Sequence, residues 1–409
     1  MLDTSQSFET KPVDEVYAKT YRFDLWRGAC DGILATGAQT FCLFIAIRYY
    51  DASEGVKSAI ASAPFLGMFC SLLLVHYLSS GGWKKSTCGA IPSLITGAGL
   101  VVAACADSVG IFALCVVAAY LSRSALIPFV TSIYKDNYPH SKRGVSISKP
   151  LMTTVGVSAV FGFGGSLILE SDIGHFRWLL LILGIAGFVK AWAVYSMPSQ
   201  PIEKTAHKNP FGNLKYLFLD PSFGYVLLTW FIMGFANLWT LPLKVDYVAS
   251  AKYGIEASAF IVALITTIIP DTFRFLFIPF WAKLFDRMNF IVLRIVLNLT
   301  FALGIGLFFI SKNLIVIGIG SALIGFSFSG GYIAWSLWVT RYAPPGKTAA
   351  YMSVHVFLTG VRGTLGPIIG YWTASKIGTV NIGILSSAMM VFASVMLIPE
   401  IKKIRISES

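Results

Sequence analysis

Apolar residues in this chain come in long blocks, without the strict alternation of a half-buried strand or the one-sided stripe of a soluble helix. Twelve such blocks occupy approximately 24–48, 58–79, 86–105, 109–134, 147–169, 176–197, 222–243, 257–282, 289–310, 313–339, 349–373 and 379–399. Each is about 20 residues or more, the length at which an α-helix crosses a hydrocarbon layer of roughly 30 Å. The pattern predicts an all-α membrane protein with twelve transmembrane helices. Ahead of the first block, Met1 to Thr20 is polar and mixed in charge, unlike the basic stretch and short apolar core of a cleavable leader.

Composition narrows the class. Of 409 residues, 56% are hydrophobic and only 13% charged, whereas soluble domains carry about a quarter charged residues. Most soluble enzymes and nucleic-acid-binding modules are thereby excluded. The net charge of +12 forms no patch, because the basic residues punctuate the apolar blocks. With Arg48, Lys149, Arg177 and Arg294 counted in their adjoining loops, 20 basic residues lie on the side of the N-terminus, 7 on the other, and five inside blocks. Basic loops stay in the cytoplasm, so both termini are expected there, with the chain in the plasma (inner) membrane. The six cysteines fall in or beside apolar stretches of the first half and read as small hydrophobes. The sequence has no Walker loop, dinucleotide fingerprint or His/Cys metal cluster, so no enzyme activity, cofactor or metal is expected.

The longest internal connection, 198–221, is polar, carries Lys204, Lys208 and Lys215, and falls near the middle of the chain. It divides the sequence into a tail (1–23), a six-helix bundle (24–197), the central loop, a second six-helix bundle (222–399) and a second tail (400–409). The halves echo one another. Tyr138-Pro139-His140-Ser141-Lys142-Arg143 after the fourth block matches Tyr342-Ala343-Pro344-Pro345-Gly346-Lys347 after the tenth, and Gly82-Trp83-Lys84-Lys85 matches Asp286-Arg287-Met288-Asn289. A repeat of half the chain length marks a transporter made of two related bundles.

Ala282-Lys283-Leu284-Phe285-Asp286-Arg287-Met288-Asn289 resembles the loop signature G-x-L-a-D-R-x-G-R-R of the major facilitator superfamily, with Ala282 for the first Gly and no closing basic pair. Asn289 stands at the second Gly, where Asn also accepts a left-handed backbone. The first-half copy, Ser79-Ser80-Gly81-Gly82-Trp83-Lys84-Lys85, lacks the Asp-Arg. Arg123 resembles the family's arginine of the fourth span. The fifth span has no Gly-Pro pair, so the antiporter signature of drug exporters is not met. The resemblance covers essentially the whole chain. It implies two pseudo-symmetric six-helix bundles working by alternating access, with Lys283, Asp286 and Arg287 as a conformational motif and spans 1, 4, 7, 8, 10 and 11 around the cavity.

Charge inside the blocks supplies the candidate chemistry. Asp31 and Asp271 are the carboxylates well inside; Arg27, Arg123, Lys190, Arg274 and Arg362 are the cations. A mid-bilayer charge costs roughly 2.5–3.5 kcal/mol on insertion scales, so each invites a functional reading. Arg27 and Lys190 lie near span ends and are expected to snorkel to the interface. Arg123, Arg274 and Arg362 lie roughly 12–20 Å from a helix end, too deep for that. Asp271 and Arg274 share a face at i,i+3, behind the helix-bending Pro270. His355 and Arg362 are two turns apart, and Gly360 to Pro367 is a run through which backbone can approach closely.

Three deep arginines against two aspartates favour an anion, because the guanidinium fork donates two parallel hydrogen bonds to carboxylate or phosphate. The pair on spans 8 and 11 resembles the basic residues of oxalate–formate exchangers, and Asp271 with Arg274 resembles monocarboxylate–proton symporters. The expected substrate-binding residues are Arg274, Arg362 and Arg123, with Asn237, Tyr332 and Trp335 as softer candidates and Trp239 beside them. Asp271, Asp31 and His355 are expected to carry protons. Trp338 and Trp83 are assigned to the interfacial belt. The sequence reads as a monomeric, proton-coupled carrier of a small organic anion. Its rivals are a carrier of neutral sugars or peptides, a drug exporter with structural arginine pairs, and a receptor or lipid-handling protein on the same scaffold.

Overall fold

The computed structural model describes residues 13–79, 82–139, 143–201, 209, 211–344 and 348–402. The outer tails, Lys204 and Lys208 of the central connection, parts of the echoing turns near 140 and 346, and the side chain of Asp286 lie outside that description.

Twelve long helices account for the described chain. The first, α1, runs from Val13 to Arg48 through a π-helical turn at Gly37–Phe41. It is followed by α2 (Glu54–Ser79), α3 (Lys85–Ala104), α4 (Val109–Ala125 and Ile127–Asn137), α5 (Arg143–Ser171) and α6 (Phe176–Tyr195). The second half holds α7 (Pro221–Ala249), α8 (Ala259–Ala263 and Ile269–Arg287, joined by a π-helical turn at Leu264–Ile268) and α9 (Phe290–Ile310). It closes with α10 (Leu314–Leu337), α11 (Thr348–Ile377) and α12 (Thr379–Leu397). Among the described residues, ten helices are individually long and apolar enough to cross a membrane. Local chemistry sets the boundaries. Ser108, Asp220, Ser258 and Asn313 accept hydrogen bonds from the first free amides of α4, α7, α8 and α10. Gly82, with φ of 65°, makes the left-handed turn between α2 and α3 that a side chain would resist.

The helices pack in two equivalent sets. In the first half α1 packs on α5 and α6, α2 on α4, and α3 on α4 and α6. In the second, α7 packs on α11 and α12, α8 on α10, and α9 on α10 and α12. One set becomes the other by advancing six helices, which gives the two pseudo-symmetric bundles of the predicted fold class. Outward faces remain apolar: Leu114, Trp178, Ile185, Ile315 and Phe392 are exposed, an arrangement that suits lipid and not water.

Two long seams join the halves, α2 against α11 and α5 against α8. At the first, a Cβ added to Gly360 would sit 2.8 Å from the backbone nitrogen of Phe69, so this glycine sets the spacing of the helices. Polar contacts between halves gather at the end remote from both termini. There Lys57 pairs with Asp246 at 3.0 Å, Arg48 with Glu256 at 2.9 Å and Lys252 with Glu54 at 3.1 Å. The Glu170 carboxylate also accepts from the Phe260 amide at 3.1 Å. At the terminus-side end, no ion pair joins the halves among the described residues.

Candidate functional site

A cavity of about 270 Å³ lies within the second half, lined by residues of α7, α8, α9, α10 and α11. Of the residues expected from sequence, Arg274, Arg362, Asn237, Tyr332 and Trp335 line it together. Arg362 is buried at 5% exposure. It donates to the backbone carbonyl of Trp230 and, at 3.1 Å, to the Thr359 hydroxyl. Space for its guanidinium comes from Gly234, where any Cβ would collide with the Arg362 side chain. The Arg274 guanidinium is 3.8 Å from Asp271, a long ion pair, and 5.7 Å from the centre of the Tyr332 ring. The irregularity expected at Pro270 is present just before it, as the π-helical turn Leu264–Ile268.

Arg294 corrects the sequence reading. Counted there with a loop, it is 4% exposed on α9 and lines the same cavity. Its guanidinium is 3.8 Å from the centre of the Trp230 ring, and one nitrogen donates to the Met233 sulfur at 3.0 Å. The cavity therefore holds three arginines and, beside one of them, a single aspartate. Several polar atoms of the residues that line it are buried without a hydrogen-bond partner among the described residues: Arg274 Nε, Arg362 Nε, Trp230 Nε1 and Asn237 Oδ1. Phe301, Phe328, Tyr332 and Trp335 give the rest of the wall aromatic faces.

His355 is fully buried behind this wall, its ring 5.2–5.3 Å from Trp230, Trp335 and Trp338. Neither ring nitrogen has a partner among the described residues. Trp338 is not in an interfacial belt. It is buried and stacks between Phe223 and Trp230 in an aromatic column that backs the cavity. Trp239 also turns away, its indole nitrogen donating to Ser386 on α12.

Arg123 and Asp31 form a separate network in the first half. Asp31 accepts from Lys190 at 2.7 Å, from Arg123 at 3.2 Å and from Arg27. Arg27 also pairs with Asp24 at 2.6 Å, and Asp24 accepts from Tyr134 and Tyr138. Snorkelling is thus the wrong description of Arg27 and Lys190: Lys190 is 1% exposed and points inward to Asp31. Asp24, fully buried, is a third internal carboxylate that the apolar boundaries concealed, and Asp246 on α7 is a fourth. Solvating two carboxylates with three cations, this network is nearly self-neutral.

At the junction of α8 and α9, Lys283 and Arg287 are exposed. Asn289 is not left-handed there. With φ of −57° it caps α9, its side chain accepting from the Ile291 and Val292 amides.

The chain belongs to the Major Facilitator Superfamily, whose sequence pattern it matches over residues 32–367. It is a multi-pass membrane transporter and not an enzyme. Among solved structures it is similar to the peptide transporter POT in complex with sulfate, with a TM-score of 0.74, 13% identity, and coverage of 96% of this chain and 99% of that one. The nucleoside transporter NupG gives 0.70 at 12% identity, covering 94% and 98%. The human organic anion transporter MFSD10 (TETRAN) gives 0.63 at 14%, covering 94% and 99%. No curated protein sequence matches the chain.

Proposed function

We propose that the protein is a proton-coupled carrier of a small organic anion, with Arg274 and Arg362 holding the anionic group. The supporting observation is the charge of the cavity: Arg274, Arg294 and Arg362 line it, and Asp271 is the carboxylate beside them. Locked structural pairs, which a neutral-solute carrier would need, occur for Arg123 in the first half but, among the described residues, not for Arg362 or Arg294. Proteins of similar fold include a nucleoside transporter, a D-xylose–proton symporter, an organic anion transporter and a peptide transporter, so the scaffold itself favours none of these substrates.

Coupling follows from the long Asp271–Arg274 pair. A substrate anion that takes the Arg274 fork leaves Asp271 as a buried carboxylate without its cation, and such a group is stabilised by taking up a proton. Substrate and proton then favour each other's binding, the thermodynamic requirement of symport. Asp31, already held by three cations, has less to gain, and His355 is the alternative relay. On this reading both termini and the 198–221 connection are cytoplasmic in the plasma (inner) membrane. Asp286 and Arg287 then stand at the cytoplasmic junction as a latch, and the chain works as a monomer. Uptake of radiolabelled organic anions into proteoliposomes, with and without an inward proton gradient, tests it. Gradient-dependent accumulation is expected; uptake of neutral solutes alone contradicts it.

A further inference from the structure

The cavity's charge and shape specify more than an anion. Arg274 has Asp271 at 3.8 Å, but among the described residues Arg294 and Arg362 have no carboxylate within ion-pair distance. Their contacts are neutral: the Trp230 ring and Met233 sulfur for Arg294, and the Trp230 carbonyl and Thr359 hydroxyl for Arg362. Both guanidiniums converge on one residue, Trp230, from different helices. Two like charges buried side by side repel and are poorly solvated. They leave two positive charges without balance in the lining of a small cavity.

The remaining wall describes the rest of the occupant. Trp230 Nε1, Arg274 Nε and Arg362 Nε are donors without partners, while Asn237 Oδ1 is a lone acceptor. Buried polar atoms in native proteins are nearly always paired, so this set asks for a ligand rich in acceptor oxygens with one donor of its own, or for bridging water. Phe301, Phe328, Tyr332 and Trp335 supply aromatic rings to the same lining, the Tyr332 ring 5.7 Å from the Arg274 guanidinium. The volume, about 270 Å³, is below the roughly 300–1,000 Å³ of pockets for drug-sized molecules.

We infer that the substrate is a small planar aromatic or heteroaromatic compound carrying two negative charges at one end, a dicarboxylate or a phosphomonoester, with Arg294 and Arg362 sharing the dianionic group. The inference rests on the anion reading above and adds Arg294 as a specificity-determining residue. Arg274 meets an outer oxygen of the same group, which draws it from Asp271 and links binding to the proton. A monoanion would leave one of the two central guanidiniums without a counter-charge. The ring stacks where aromatic offset and edge contacts are available.

Calorimetric titration of the purified full-length protein tests this with probes that differ in one feature. Benzoate is compared with phthalate, and methyl phenyl phosphate with phenyl phosphate, at about pH 7.5, above the second ionisation of a phosphomonoester near 6. At least one dianion is expected to bind about tenfold or more tightly than its monoanionic partner, which of the two identifying the head group. Cyclohexane-1,2-dicarboxylate is expected to bind more weakly than phthalate. In Arg294→Gln the preference for the dianion should shrink to within about threefold while the monoanion is still bound. Monoanions binding as tightly as their dianions in the wild type would overturn the inference and leave the anion reading standing. If none of these anions binds and neutral compounds do, the anion reading itself fails. An alicyclic dianion equal to phthalate would remove the aromatic part.

Discussion

The hydroxyls of Thr40 on α1 and Thr267 on α8 share a hydrogen bond of 2.6 Å, each within a π-helical turn of its own helix. The two turns meet across the boundary between the halves, about two helical turns deeper than the Lys57–Asp246, Arg48–Glu256 and Lys252–Glu54 pairs that close the mouth. π-helical turns lose regular ladder bonds and are frequent at functional sites. Here they lie where the halves must part if the closed mouth opens.

Lys57–Asp246 is the buried member of that clasp, with side chains 10% and 1% exposed. Removing one partner of such a pair costs roughly 3–5 kcal/mol, whereas replacing both by apolar groups is often close to neutral. Lys57→Met is expected to shift the population toward the open mouth. In a background without native cysteines, Thr266→Cys should react several-fold faster with an impermeant maleimide in Lys57→Met. The rate should return toward the parent when Asp246→Leu is added. An unchanged labelling rate would mean that the clasp does not hold the mouth shut.

Arg362 lines the cavity with its fork donating to the Trp230 carbonyl and the Thr359 hydroxyl, in space that Gly234 leaves free. Arg362→Lys keeps the charge but loses the planar geometry, so substrate binding should weaken by about 10- to 100-fold, the range of roughly 1.5–3 kcal/mol for a charged hydrogen bond. Gly234→Ala should do the same without altering any charge, because the added methyl displaces the guanidinium. Wild-type affinity in both variants would place the anion elsewhere.

Asp271→Asn resembles the protonated carboxyl and leaves Arg274 without its partner. Exchange of labelled for unlabelled substrate should continue at a rate within a few-fold of wild type. Accumulation driven by a proton gradient should be lost. Undiminished gradient-driven accumulation would pass the coupling role to His355 or to Asp31.

Topology is open to a direct check. On the 20-to-7 distribution of basic residues, the central connection is expected inside the cell. A cysteine at Lys208 should therefore react with impermeant maleimide only after the membrane is permeabilised. Labelling in intact cells would invert the orientation.

The twelve helices were legible because each is a long apolar block, and lipid-facing helices need no finer pattern. The cavity was legible in part. Arg274 and Arg362 stand out as charges deep within apolar runs, and Asn237, Tyr332 and Trp335 lie on helices that line it. Arg294 was hidden by its position, in the second turn of α9 close to Asn289. Near a helix end, burial depends on which face turns inward, and an all-round apolar helix such as α9 carries no stripe that says so. Asp24 was hidden likewise: it is the first residue of its apolar block, but α1 already begins at Val13, so the carboxylate sits inside the bundle and not at a helix end. The pairing of Lys190 with Asp31 depends on α6 packing against α1, a tertiary fact that spacing along one helix does not contain.

Binding of anions by the second-half arginines is the centre of this account, and calorimetry on the wild type and Arg362→Lys tests it most directly. A panel of aromatic and aliphatic carboxylates and phosphates is titrated beside neutral nucleosides, pentoses and uncharged peptides. The account predicts that wild type binds members of the anionic set and none of the neutral set, and that Arg362→Lys weakens the tightest of them by about tenfold or more. Binding confined to neutral compounds, or anion affinity untouched in Arg362→Lys, would contradict it.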